Sequence, residues 1–212
     1  MSENFCAQLH EVVLSLPRYQ FPVSEDQLPA NGIYFIFEKG ESGHHSDRIV
    51  RIGSHTGAGN LPARLREHIT LNKDRSIFRK HIGRAILKRD KDPYLSVWEL
   101  DFTSRQEKNK HGYQLDPVRQ SEIERTVSLY IQEKFSVSVL PTEDHLMACK
   151  LEKLCIATVS LCAQCFASRD WLGIHSTKEQ IRNSGLWQVQ HLRGNVLDTP
   201  NIEDIRRLCN KV

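Results

Sequence analysis

Two short runs of β-branched and aromatic residues, separated by nine polar or small residues, constrain the fold more than any other feature. The first is NGIYFIFE (31–38) and the second is RIVRIG (48–53). Both have strand length, and their residue types favour strands. Because the segment between them is too short for a crossover helix, we predict an antiparallel hairpin.

The remainder of the chain is mostly helical in pattern. Amphipathic spacing and capping residues predict helices over 3–16, 61–71, 76–89, 118–134 and 143–166, and a last one from the capping box at 176–179 to Gly185. We expect further strands at 93–100 and 135–141, and a loop over 104–116. The fold class is therefore α+β, a small antiparallel or mixed three-stranded sheet flanked by helices.

The domain organisation that we predict has three parts. Residues 1–28 form an N-terminal helix and lead-in, 29–140 form the core, and 141–212 form a helical lobe packed on the core. The chain of 212 residues is 39% hydrophobic and 26% charged, which is typical of a globular protein. No apolar run is long enough to cross a bilayer, and the N-terminus lacks a secretory pattern. Six cysteines, mostly clustered, favour a reducing cytoplasm.

Positive charge is concentrated in one segment. Residues 60–90 contain nine Lys/Arg and three acidic residues, a net charge of +6, whereas the rest of the chain carries −3. Such a segment is typical of a nucleic-acid contact. A solvated helical face is an equally simple explanation.

Two helices carry charged residues at the border of an apolar face. Arg64 and His68 flank the stripe of the helix that begins at Leu61, and Glu124 borders the apolar face of a later helix. An arginine in such a position needs an anion, and a carboxylate there either pairs with a cation or binds a metal ion. Each residue alone is more simply explained by a salt bridge.

The order of these residues resembles the GIY-YIG nuclease superfamily. Gly32-Ile33-Tyr34 is intact, Arg51-Ile52-Gly53 stands at the second motif, and RLREH (64–68) and IERTVSLYI (123–131) follow. Three further segments are similar to a prokaryotic group of GIY-YIG nuclease-like proteins: RSIFRKHIGRAIL (75–87), WLGIHS (171–176) and SGLWQVQHL (184–192). The ordered set is more specific than any one motif.

The resemblance implies a metal-dependent DNA endonuclease that hydrolyses phosphodiester bonds, with restriction, defence or repair as its candidate settings. Tyr34 would act as, or position, the general base, and Arg64 would stabilise the transition state. His68 would assist proton transfer, or hydrogen-bond Tyr34 or the phosphate. Glu124 would hold one Mg²⁺ or Mn²⁺ ion. Duplex DNA is the implied partner, and a homodimer is conceivable.

Arg51 stands where the family has its second tyrosine. If Arg51 points inward, it would supply positive charge that stabilises a Tyr34 phenolate; if outward, it protects a sheet edge. Ser54 replaces a lysine of some members. These departures leave open an alternative: a nucleic-acid-binding protein that keeps the fold with weakened or lost cleavage. A partner-binding scaffold is a third alternative, in which acidic neighbours neutralise residues 80–88.

Two further groups of residues invite a functional interpretation. Lys80, His81, Arg84 and Lys88 fall together on the second basic helix and predict a face that binds the DNA backbone, with an ordinary exposed face as the alternative. Cys155, Cys162 and Cys165 suggest zinc, but on a continuous helix they share an apolar face. We therefore expect these cysteines, like Trp171 and Trp187, to be core residues.

Overall fold

The computed structural model describes residues 4–211 as a four-stranded antiparallel sheet flanked by helices. The strand order is β1-β4-β2-β3. The predicted hairpin is confirmed, with Tyr34 paired to Gly53 across it. The fold class is also confirmed, although the sheet has four strands where we predicted three. The strands are β1 Arg18–Gln20, β2 Gly32–Gly43, β3 Ser46–Gly53 and β4 Phe135–Pro141.

The helices account for much of the remaining chain. Their bounds are α1 Phe5–Leu14, α2 Leu61–Glu67, α3 Ile77–Arg89, α4 Leu95–Glu99, α5 Arg105–His111, α6 Pro117–Lys134, α7 His145–Ser160, α8 Glu179–Ser184 and α9 Thr199–Cys209. Short 3₁₀ turns lie at Glu25–Gln27, Gly112–Gln114 and Leu172–His175. Position 3, where the first predicted helix begins, lies outside the described residues. Over residues 4–211, no helix has the length and apolar character needed to span a membrane.

Each face of the sheet carries a hydrophobic core. On one face, α3 and α6 pack with Tyr34, Trp98, Trp171 and Trp187. On the other face, α1, α7 and α9 pack against Ile33, Phe35 and Ile52. Successive side chains of β2 point to opposite faces of the sheet, so neighbouring residues such as Ile33 and Tyr34 belong to different cores. Residues from the segment 141–211 lie in both cores, for example Trp187 in the first and Leu151 in the second.

Two local predictions are wrong, and both errors have a physical cause. The segment 93–100 is helical in part because Trp98 is drawn into the core, where its ring lies against Gly83 and its Nε1 donates to the Lys80 carbonyl at 3.0 Å. The segment 104–116 contains α5, whose N-cap Ser104 accepts from the Glu107 amide at 3.1 Å. The Ser-x-x-Glu spacing was a usable signal for this helix.

The helix predicted over 143–166 ends earlier than expected. It stops at Ser160, so Cys162 and Cys165 lie in the irregular segment that follows. The premise that they share a helical face with Cys155 is therefore wrong. The strand β1 and the helix α9 were not predicted, although Asp198 caps α9 by accepting from the Asn201 amide at 2.9 Å.

The two tryptophans are core residues, as predicted. Trp171 and Trp187 are 2% and 0% exposed, and both indole Nε1 atoms donate to the Glu38 carboxylate, at 2.7 and 2.9 Å. The hydroxyl of Tyr130 donates to the same carboxylate at 2.6 Å. Burial raises the pKa of Glu38, and these three donors oppose the rise. The two indole hydrogen bonds anchor the C-terminal segment to β2, and the Tyr130 hydrogen bond anchors α6 to the same strand.

Candidate active site

Close packing around Tyr34 explains both glycines of the hairpin motifs. The Tyr34 ring lies directly over Gly53, where an added Cβ would come within 2.2 Å of the phenol oxygen. A Cβ on Gly32 would come within 2.6 Å of the Leu140 carbonyl oxygen on β4. The first glycine therefore lets β2 approach β4, and the second leaves room for the phenol.

The Tyr34 hydroxyl is held by a buried histidine. It lies 2.9 Å from Nε2 of His68, the residue that ends α2, and Nδ1 of His68 lies 2.8 Å from Oγ of Ser76. Burial lowers the pKa of His68 well below its usual value, and the charges of Arg64, Arg51 and Arg79 lower it further. A neutral ring can accept from the phenol through Nε2 while Nδ1 donates to Ser76. The prediction that His68 contacts Tyr34 agrees with this geometry.

Arg64 lies beside the phenol at the mouth of the site. Burial alone would lower its pKa, but interactions with Tyr34 and Glu67 leave it raised. Nη1 donates to Glu67 at 2.8 Å and to the Arg75 carbonyl at 3.3 Å. The Arg64 and Glu67 side chains are 24% and 36% exposed, so this ion pair is weak and exchangeable. Arg64 therefore forms the salt bridge that was the simpler explanation of this residue, and its guanidinium is also partly accessible.

Arg51 points inward, on the same face of the hairpin as Tyr34. Arg51 pairs with Ile36 across the hairpin. Ile36 is two residues from Tyr34 on β2, so Arg51 and Tyr34 share one face of the sheet. The guanidinium lies over the Phe78 ring, 5.3 Å from its centroid, and Nη1 donates to the Trp187 carbonyl at 2.5 Å. The outward, edge-protecting alternative is therefore excluded.

His81 contributes a buried donor with no acceptor. Nη1 of Arg84 lies 2.7 Å from Nδ1 of His81, and because a guanidinium can only donate, the ring proton belongs on Nε2. Burial, followed by the charge of Arg84, lowers the pKa of His81 to about 2, so the ring is neutral. Within residues 4–211, neither Nε2 of His81 nor Nε of Arg51 has a hydrogen-bond partner, although both atoms are buried.

Three of these residues line one cavity of about 720 Å³, whereas the fully buried Tyr34 and His68 do not line it. Arg51, Arg64 and His81 line it, together with Lys153 from α7. Its carboxylates are Glu67 and Glu152, and Ser54 donates to Glu152 at 2.5 Å. Its three cationic side chains, Arg51, Arg64 and Lys153, outnumber the two carboxylates, so the lining favours an anion such as a phosphodiester.

Glu124 lies apart from this cavity. Its Oε2 accepts from Nη2 and Nε of Arg79 at 2.6 and 3.2 Å, and its Oε1 accepts from the Lys73 amide at 2.6 Å and from Gln120 at 3.2 Å. It lines a different cavity, together with Lys73 and Asp74. Tyr34 and Arg64 converge, but Glu124 does not join them. Its role as a metal ligand stays a prediction.

The predicted DNA-binding face of α3 is largely internal. Lys80 donates to the Leu100 carbonyl at 3.1 Å, and Arg84 is paired with Glu99 at 2.8 Å. His81 and Arg84 are buried, and only Lys88 of the four predicted residues is exposed. The reason is that α4, α6 and the turn Leu172–His175 pack around α3. The helical wheel could not reveal these covering segments.

Arg79 is the residue that the sequence interpretation missed. It is fully buried at the start of α3, and besides Glu124 it donates to the His68 carbonyl at 3.2 Å and to Ser128 at 2.8 Å. It therefore links α2, α3 and α6. On the helical wheel of α3, Arg79 looks like one more basic residue opposite the apolar face. Nothing in the sequence marks it as buried.

Comparison with known proteins agrees with the motifs. A family model described as GIY-YIG domain matches residues 7–211, almost the whole chain. No curated protein and no solved structure matches the chain. GIY-YIG domains are nuclease domains that generally depend on a divalent metal ion. With Tyr34 between the two motif glycines and Arg64 beside its hydroxyl, the chain belongs to the GIY-YIG family of nuclease domains.

Proposed function

We propose that this chain is a DNA endonuclease whose scissile phosphate binds in the cavity lined by Arg51, Arg64 and His81. The observation that carries the proposal is that two buried donors on residues lining this cavity, Nε of Arg51 and Nε2 of His81, have no hydrogen-bond partner within the described chain. A buried donor without an acceptor is costly, and a phosphate oxygen would satisfy it. Arg64, at the mouth of the same cavity, adds an exchangeable charge.

Each residue has a distinct task in the proposed hydrolysis. Arg64 exchanges Glu67 for the phosphate and stabilises the negative charge that develops in the transition state. Arg51 and His81 donate to the other phosphate oxygens, which fixes the orientation. Tyr34 positions the attacking water and takes its proton as the phenol passes its own proton to Nε2 of His68. His68 is neutral before this step and accepts the hydrogen bond of the phenol.

A divalent ion would polarise the phosphate and the leaving oxygen. Glu124 does not fit as an open ligand in this arrangement, since Arg79 neutralises it and four donors occupy its oxygens. Binding an ion there requires Arg79 to withdraw. Glu67 and Glu152 are the carboxylates that line the proposed phosphate cavity itself.

Duplex DNA is the substrate that we propose, and the chain's six free cysteines support a reducing cytoplasm as its compartment. A dimer would place two such cavities on opposite strands. The alternative, a module that binds nucleic acid without cutting, loses support from the pairing of Lys80 and Arg84 with internal partners. The pairing of Arg84 with Glu99 is, however, what the third alternative, a partner-binding scaffold, predicts for residues 80–88.

Nicking of supercoiled plasmid tests the proposal. Arg64→Ala should reduce the rate by roughly 10²–10³, the loss typical of removing one group that stabilises transition-state charge. Arg66→Ala is the matched control, because Arg66 lies on the same helix, is exposed and pairs only with Glu25 among described residues. Tyr34→Phe keeps the ring over Gly53 and should also abolish cleavage.

Three outcomes separate the alternatives. Cutting by Arg64→Ala at the wild-type rate removes this residue from the mechanism. Salt-sensitive DNA binding with no cutting in Mg²⁺ or Mn²⁺ by the unaltered protein supports the binding module. Neither binding nor cutting supports the scaffold.

A further inference from the structure

Four metal-ligating side chains meet on the side of the sheet opposite the proposed active site. Cys6 and His10 come from α1, His44 from the β2–β3 turn, and Cys165 from the segment after α7. Their potential ligand atoms all lie within 4.8 Å of one another. Residues 6 and 10 are one helical turn apart, which places them on one face of α1. We propose that these four residues bind a structural zinc ion.

The donor set fits zinc chemically. Two sulfurs and two imidazole nitrogens form one of the usual closed tetrahedral zinc sites. With Zn–S near 2.3 Å and Zn–N near 2.0 Å, neighbouring donor atoms of such a tetrahedron lie about 3.3–3.8 Å apart. In this cluster, Sγ of Cys165 lies 3.8 Å from Nε2 of His10. Because all the donor atoms lie within 4.8 Å of one another, a contraction of roughly 1 Å between the most distant donors would close the cluster around an ion.

The tautomer of His10 is set by its surroundings. Nδ1 lies 2.9 Å from the Cys6 carbonyl oxygen, which can only accept, so Nδ1 carries the proton and Nε2 faces Cys165 with a lone pair. Histidine ligands of metals usually donate their second N–H to such an acceptor. The Ile49 amide also donates to Nε2, at 3.2 Å. Zinc binding exchanges this one hydrogen bond for a coordinate bond.

Proton release should accompany ion binding at this cluster. Zinc binds cysteine as the thiolate and histidine as the neutral ring. Binding would therefore release thiol protons, so the affinity for zinc should rise with pH.

The hairpin turn is built to present His44. His44 and His45 occupy the two central positions between the paired residues Gly43 and Ser46, with φ of +53° and +62°. Two-residue hairpin turns of this kind favour Asn and Gly, and histidine there is strained. In this turn conformation the centroid of the His44 ring lies 5.1 Å from that of the His10 ring. Gly43 is also needed, since a Cβ there would come within 2.9 Å of the Cys165 sulfur.

The proposed ion would join three distant parts of the chain: the first helix, the hairpin tip and the segment following α7. It lies apart from the cavity lined by Arg51, Arg64 and His81, so its role would be structural and independent of the catalytic proposal. Cys162 is the competing ligand, because its sulfur lies 3.4 Å from Nε2 of His44. Its location outside the set of four makes Cys162→Ser an informative variant.

Metal analysis of the folded protein tests the assignment. We expect about one zinc per chain after purification without chelator, and thiolate-to-cobalt charge-transfer bands with tetrahedral d–d bands when Co²⁺ replaces zinc. Cys165→Ser and His44→Asn should lose at least tenfold in affinity. Asparagine is favoured in this turn, so His44→Asn removes the ligand while keeping the hairpin. Cys209→Ser, on α9, is the matched control and should bind normally, as should Cys162→Ser.

The proposal is overturned by several distinct results. One is a folded wild-type protein, by circular dichroism, that binds neither zinc nor Co²⁺. Another is full retention of metal by His44→Asn. Loss of metal in Cys162→Ser but not in Cys165→Ser would overturn the assigned ligand set. A Cys6–Cys165 disulfide in protein purified under reducing conditions would show that the sulfurs pair with each other instead.

Discussion

Replacement of Glu124 by Gln separates the two roles open to this carboxylate. In the structure its charge compensates Arg79, and the two side chains are 4% and 0% exposed. The glutamine side chain would keep the size of the original but leave the guanidinium buried without a counter-charge. Removing one partner of a buried ion pair costs about 3–5 kcal/mol. For a chain of this length, that loss lowers Tm by roughly 6–20 °C.

The matched control is Glu122→Gln, two residues earlier on α6. Glu122 pairs with Arg119 at 2.8 Å, and both side chains are largely exposed, so the loss should stay below about 1 kcal/mol. The assay is urea unfolding followed by circular dichroism, with the slope checked for constancy. Because Arg79 and Glu124 are in direct contact, the loss in Arg79→Met/Glu124→Gln should be smaller than the sum of the single losses.

A different result would refute this reasoning. If Glu124→Gln unfolds at the same urea concentration as wild type and has lost only metal-dependent cleavage, the carboxylate is a metal ligand and the Arg79 pairing is not its main role. Measuring stability and nicking on the same preparation makes the two roles distinguishable.

Two further predictions concern the site. Gly53→Ala should displace the Tyr34 ring, because its Cβ would overlap the phenol oxygen at 2.2 Å; we expect at least tenfold slower nicking and a loss of about 1–3 kcal/mol in urea unfolding, and wild-type values would contradict the packing. Stability should also fall as pH drops below 6.5, because the pKa of buried His81 is lowered to about 2 and its unfolded form binds a proton that the folded form does not. His81 should contribute about 2 kcal/mol of this loss by pH 5, and unfolding curves of His81→Gln with an unchanged pH dependence would contradict the assignment.

The sequence was sufficient for those features that depend on local pattern. The hairpin followed from residues 31–53, and the family resemblance offered a hydrogen bond between Tyr34 and His68 as one of three roles for His68. The inward direction of Arg51 remained open because period-two alternation alone does not say which face a polar residue takes.

Features that depend on distant packing could not be predicted. The basic residues of α3 look exposed on a wheel, but Trp98 and the turn at Leu172–His175 cover them. Glu124 borders an apolar face in the sequence, yet its partner Arg79 lies 45 residues away on another helix. The proposed zinc site draws on three segments that are far apart in the sequence and meet only in the folded chain. Its residues are Cys6, His10, His44 and Cys165.

The central claim is that a DNA phosphate binds between Arg51, Arg64 and His81. A crystal structure of the Tyr34→Phe variant with a short DNA duplex tests this claim most directly. We predict a phosphate oxygen within hydrogen-bond distance of Nε2 of His81 and of Nε of Arg51, with Arg64 turned from Glu67 towards it. DNA bound on another surface, with these two donors still unpartnered and Arg64 still on Glu67, would contradict the claim.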